Sequence, residues 1–121
     1  LKKAGKQTAL ITTSLRENVL HLFDKYEIHH YFDVVIANED TQQHKPHPEP
    51  LEKALEQLKG SKEGSVMIGD SDKDISAANN AQVDSILFYP DSHEKFYELE
   101  NLKTLNPTYV INDFRQILGI V

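Results

Sequence analysis

Asp70, Ser71, Asp72, Lys73 and Asp74 follow directly on the apolar run Val66 to Gly69. Asp70 leaves the end of that run, and Asp74 stands four residues on, one turn into a helical pattern, so the two carboxylates can face one point. Oxygen donors in that arrangement suit a hard cation such as Mg²⁺, and with it phosphate chemistry. The same acids have a plainer reading, because a first helical turn favours carboxylates and an aspartate is an ordinary N-cap. Two other stretches bear on the choice. Thr12, Thr13 and Ser14 end another apolar run. Ser14 and Glu17 have the S-x-x-E spacing of a capping box, and the helix start they predict offers free N–H groups to a phosphate. In HKPHPEP, Lys45 precedes a proline, which holds it in extended backbone and lets its ammonium be aimed. Hydroxyl, lysine and acidic pair, each directly after an apolar run, share one explanation in a Mg²⁺ and phosphate site.

The elements that must position these residues alternate. Strands are predicted at Thr8–Thr13, Asp33–Asn38, Ser65–Asp70, Asp84–Tyr89 and Thr108–Asp113. Between them, Leu15, Val19, Leu22 and Phe23 have helical spacing, as do Leu51, Ala54, Leu55 and Leu58 behind Pro48. Helices are also predicted in ISAANNA, HEKFYELENL and FRQILGI. Apolar strands separated by helices imply an α/β fold with a parallel sheet, and in such sheets ligands sit at the carboxyl ends of the strands. All three motifs fall there.

The 121 residues and their hydrophobic content of 39% fit a single domain spanning 1–121. A formal charge of −6 argues against binding to nucleic-acid backbones or an anionic membrane surface. No cysteine is present, which suits a reducing, cytoplasmic setting, and the apolar runs are far short of the roughly 20 residues of a membrane helix. The opening LKKAG reads as the last turn of a helix followed by a glycine, so the chain is expected to be a piece of a longer polypeptide.

With ALITTS, HKPHPEP and GDSDKDI in this order, and YFDVVIANED between, the chain resembles the haloacid dehalogenase-like (HAD) phosphohydrolases, and among them those similar to phosphoglycolate phosphatase. The resemblance covers nearly the whole chain. It implies a Rossmann-like three-layer core and a magnesium-dependent phosphohydrolase acting on small phosphate esters through an aspartyl-phosphate. Thr12 and Thr13 would bind phosphate, Lys45 would bind it and act in catalysis with Thr12, and Asp70 would hold Mg²⁺. Asp74 would join the metal site, through water, or orient Lys45. Motif D-x-D-x-T, whose first aspartate is the family's nucleophile, is not in this sequence, nor is a cap domain. The core is therefore expected to be incomplete and the chain alone inactive. The edges of the first and third strands should be covered by direct pairing, by a strand from a missing N-terminal segment or another chain, or by self-association. Gln82 stands where relatives commonly have a glycine.

Alternatives are a phosphomutase on the same core, or a binding module that has lost catalysis. A receiver domain is disfavoured because its acidic pair should come first, whereas here Lys45 precedes Asp70. His44 and His47 lack a third nitrogen or sulfur ligand for zinc and are read as loop surface. Phe23, Phe32 and Phe88 are read as core.

Overall fold

A computed structural model describes residues 5–90 and 102–120. The predicted alternation is present, with shorter strands: β1 is Ala9–Ile11, β2 Val34–Ile36, β3 Val66–Gly69, β4 Asp84–Phe88 and β5 Tyr109–Ile111. The helices are α1 (Arg16–Tyr26), α2 (Glu49–Leu58) and α3 (Asp72–Ala81). The last predicted helix forms instead a 3₁₀ turn, Phe114–Gly119, started by the carboxylate of Asp113 on the N–H of Arg115 at 2.8 Å. Six residues make few α-helical bonds to offset nucleation, and the tighter turn suffices. The predicted helix HEKFYELENL lies almost wholly outside the described residues, as do the first four residues of LKKAG. Gly5 itself has φ +75°, a left-handed backbone that glycine accepts.

All pairings are parallel, as predicted, and they fall into two groups. β1 pairs with β2, Ala9 opposite Val34. β3 pairs with β4, Val66 opposite Asp84, and β4 with β5, Ile86 opposite Tyr109. β1 and β3 do not pair with each other, so the expectation of direct pairing is not met. A cavity of about 1100 Å³ lies between them, with Leu10 and Ile11 on one wall and Met67 and Ile68 on the other. The two groups are joined beneath it. Leu51 of α2 and Ala77, Ala78 and Ala81 of α3 form a buried cluster against which Ile11 of β1 and Met67 of β3 pack.

Burial follows this plan. Ile75, Ile86 and Leu87 are wholly buried, whereas all of β1 and β3 stay half-buried. Phe23 is core and stacks on Phe32 at 5.6 Å, but Phe32 and Phe88 are only half-buried, because both border the cavity. On α1, Val19 and Phe23 face inward, while Leu22 and the preceding Leu15 are each 49% exposed, a narrower apolar face than their spacing predicts. Each helix ends in a left-handed residue that is not glycine: Glu27, Lys59 and Gln82, with φ between 53° and 60°. Gln82 thus keeps the backbone that a glycine would adopt, at a cost of about 1 kcal/mol. Among the described residues no helix is long and apolar enough to cross a membrane.

Candidate active site

The carboxyl ends of β1 and β3 meet at the mouth of the cavity, and one lysine spans them. Lys45 Nζ donates to Asp74 Oδ1 at 2.6 Å and to the carbonyl oxygen of Ile11, the last residue of β1, at 3.3 Å. The pair is largely dry, its side chains 14% and 10% exposed. Lys45 comes from the loop between β2 and α2, where its peptide bond to Pro46 is cis. Asn80 of α3 anchors that loop, its Nδ2 donating to the Pro46 carbonyl at 2.9 Å.

Asp74 is both a cap and the partner of Lys45. Ser71 is the N-cap of α3, its hydroxyl accepting from Asp74 N at 3.3 Å while Asp74 Oδ2 accepts from Ser71 N at 3.3 Å, a capping box. Oδ2 also accepts from Asp70 N at 3.2 Å. The cap and the lysine partner are one carboxylate, with an oxygen for each role. Gly69 makes this seat available, since a Cβ there would overlap the Asp74 side chain. Asp70 is exposed at the lip, and it lines the cavity together with Lys45 and Asp74.

Thr12 and Thr13 follow Ile11 at the same strand end but do not line the cavity. Thr12 N pairs with Ile36 O at 3.0 Å, and the Thr12 hydroxyl accepts from Ser14 N at 3.1 Å. The Ser14–Glu17 capping box does not form. Leu15 occupies the N-cap of α1 with no side-chain bond, and Arg16 N is taken by the Glu39 carboxylate at 2.9 and 3.2 Å. The first N–H of α1 therefore meets an anion of the protein itself. Sequence reasoning passed over Arg16, Glu39 and Asp40. The guanidinium of Arg16 reaches the Val35 carbonyl at 2.9 Å and the Asp40 carboxylate. Asp40 has its pKa lowered, first by the N–H of Ala37 at 2.7 Å and then by Arg16. Nothing local to NED signals contacts to a helix two dozen residues earlier; the one hint was an Asp three residues past Ala37, the spacing of a short carboxylate-closed turn.

His44 and His47 do not converge. His44 Nε2 donates to Asn38 O at 2.9 Å, and His47 Nδ1 accepts from Glu49 N at 3.1 Å. Among the described residues no three His, Cys, Asp or Glu side chains are grouped to hold a metal. A donor set of one or two carboxylates does not make a closed cage of the zinc or calcium kind. It does fit Mg²⁺, which keeps waters and takes its remaining oxygens from a substrate phosphate.

Comparison with known proteins gives the family. Residues 1–88 match the family described as haloacid dehalogenase-like hydrolase. A PpaX protein of Caldanaerobacter subterraneus subsp. tengcongensis is 40% identical over 121 residues, all of this chain and 53% of its own length. The pyrophosphatase PpaX of Halalkalibacterium halodurans is 33% identical over 122 residues, 54% of its length. A haloacid dehalogenase-like crystal structure from Bacteroides fragilis superposes with a TM-score of 0.86 at 28% identity, over 96% of this chain and 53% of that one. The chain spans about half the length of the curated relatives it matches. With a family match over residues 1–88, most of its length, the chain belongs to the haloacid dehalogenase-like hydrolases.

Proposed function

We propose that the whole protein is a magnesium-dependent phosphohydrolase that cleaves small phosphate esters or diphosphates, and that this chain supplies its phosphate-binding and charge-compensating groups. The observation that carries the reading is Lys45, held by Asp74 and Ile11 O where β1 and β3 converge. An ammonium fixed in a largely dry site stabilises charge developing on a phosphoryl oxygen without reorganising first. Asp74 keeps it aimed, and Thr12 and Thr13 would offer neutral donors from the end of β1. Asp70 would hold Mg²⁺, which when bound offsets the negative charge of the phosphate. The nucleophilic carboxylate would arrive on a strand seated between β1 and β3, where both edges face the cavity. The names of the PpaX relatives make pyrophosphate the first substrate to assay.

The test is hydrolysis of pyrophosphate and of p-nitrophenyl phosphate by the complete protein, with Mg²⁺ and after its removal. Lys45→Ala or Asp70→Asn should each cost roughly 10²- to 10³-fold in kcat/KM, and Thr12→Ala less, since it removes a neutral donor. The 121-residue chain alone should turn over neither substrate. A folded complete protein that binds phosphate without turnover would favour the binding module, and activity that survives Asp70→Asn would overturn the assignment.

A further inference from the structure

We propose that Glu39 and Asp40, in the 3₁₀ turn after β2, are positioning residues that hold the Thr12–Ser14 segment and the Lys45 loop in register with each other; the inference rests on the phosphate-site reading above. The turn, Asn38–Asp40, touches both loops and neither side of the cavity. Toward the first loop, Asn38 N donates to Ser14 O at 2.9 Å and Glu39 takes Arg16 N, so both flanks of Leu15 are fixed. Toward the second, the carbonyl of Asn38 accepts from the ring of His44, the neighbour of Lys45. The carbonyl of Asp40 accepts from Lys53 Nζ of α2 at 2.5 Å. Asp40 closes the turn on Ala37 N and pairs with Arg16, which in turn is bound to the β2 carbonyl of Val35. One three-residue turn thus carries both flanks of the phosphate site.

The arrangement also decides what does not bind phosphate. Arg16, four residues past Thr12, is the cation that composition alone would offer to an anion, yet its guanidinium is committed to Val35 O and Asp40. The first N–H of α1 is committed to Glu39. Phosphate is left to the Thr12–Ser14 segment and to Lys45, with Glu39 and Asp40 acting only through them. An Asp–Arg pair whose two members also bond the backbone of β2 and its turn is geometrically specific, and its contribution is register more than stability.

The experiment uses the ¹⁵N-labelled chain with Asp40→Asn, Glu39→Gln and, as a control that removes one nearby exposed acid of α1, Glu17→Gln. Without ligand, Asp40→Asn should move the amide signals of Thr13, Ser14 and Lys45 together, with Glu39→Gln moving the same set by less and Glu17→Gln leaving Lys45 unchanged. Titration with inorganic phosphate and MgCl₂ should show about tenfold weaker binding for Asp40→Asn. Shifts confined to Ala37–Asp40, or a Glu17→Gln pattern equal to that of Asp40→Asn, would overturn the proposal. If Asp40→Asn does not fold, Glu39→Gln decides by the same signals. Failure of the unaltered chain to bind phosphate would count against the phosphate-site reading, while the ligand-free shifts would still decide whether the turn couples the two loops.

Discussion

Strands β3 and β4 lie side by side, parallel and similarly apolar, yet they are buried to different depths. Ile86 and Leu87 in β4 are 0% exposed, while Val66 to Gly69 in β3 are all half-buried. β4 has a strand on each edge. β3 has β4 on one edge and the cavity on the other. β1, paired only with β2, shows the same half-burial from the opposite wall. Val, Met, Ile, Ala and Leu at these positions are suited to a burial that the described elements do not by themselves provide. The candidate site lies on the less buried side of the comparison: Ile11, Lys45, Asp70 and Asp74 all line the cavity. A site needs access, which the enclosed middle of β4, Ser85 to Leu87, would not give.

The largest effect should come from β4. Truncating Leu87 to Ala should cost about 2–5 kcal/mol in denaturant unfolding, the usual range for a leucine enclosed on every side. Ile68→Ala in this chain should cost less than half as much, because its neighbourhood is already partly open. In the complete protein, with a strand seated between β1 and β3, the Ile68 cost should rise toward that of Leu87. Equal costs in the 121-residue chain would show that the cavity wall is closed in solution, and the contrast between the strands would fall.

Gly69→Ala is next. Its Cβ would overlap Asp74, so either the carboxylate leaves Lys45 or the β3 end shifts, and overpacking of this kind costs about 1–3 kcal/mol. On the proposed phosphate-site reading, the same substitution in the complete protein should lower kcat more than it raises KM, since it misplaces Lys45 rather than removing it. A variant of ordinary stability and activity would separate Gly69 from the seating of Asp74.

The order of strands and helices was legible from the apolar runs, and so was the convergence of Lys45 and Asp74, because each motif follows a strand end in a parallel sheet. Three things were not legible, each for its own reason. Strand ends were drawn up to two residues too long: Thr8 N goes to the Asp33 side chain at 2.9 Å, and past Ile11 the chain bends away after one more bond, Thr12 N to Ile36 O. Ser14 has the spacing of a cap, but a carboxylate brought from Glu39 by the pairing of β1 with β2 took the helix start instead. The half-burial of Phe32 and Phe88 depends on what stands between the two strand groups, which no local pattern reports.

Acid should distinguish the two groups by a smaller margin. The folded pKa of Asp40 lies below its ordinary value of 3.8, so its stabilising contribution is complete above that value and is lost as pH falls through the lowered one. The loss belongs to the loops of β1 and β2. Amide exchange of Ala37 and Arg16 should therefore speed up in strong acid, and Asp40→Asn should flatten that dependence; an unchanged profile in the variant would mean that the pair with Arg16 adds nothing measurable.

The smallest effect is a gain, and it lies on the well-buried side. Gln82 ends α3 at φ 60° and ψ 42°, with its N–H bonded to Asn79 O at 3.1 Å and Val83 N to Ala78 O at 2.9 Å. Those bonds require the left-handed backbone, which a glutamine adopts against the contact of its Cβ with the following carbonyl. Gln82 is exposed, so removing its side chain opens no cavity. Gln82→Gly relieves the contact but frees the unfolded chain, and the two terms leave a net gain of about 0.5–1 kcal/mol. Gln82→Ala keeps the Cβ and should show none of it. Because α3 carries Asp74 at its first turn and Gln82 at its last, the gain should appear in thermal unfolding of the chain while leaving the amide signals of Lys45 and Asp74 in place. A stabilised Gln82→Ala, or a Gln82→Gly that moves those signals, would show that the end of the helix is set by something other than this one backbone conformation.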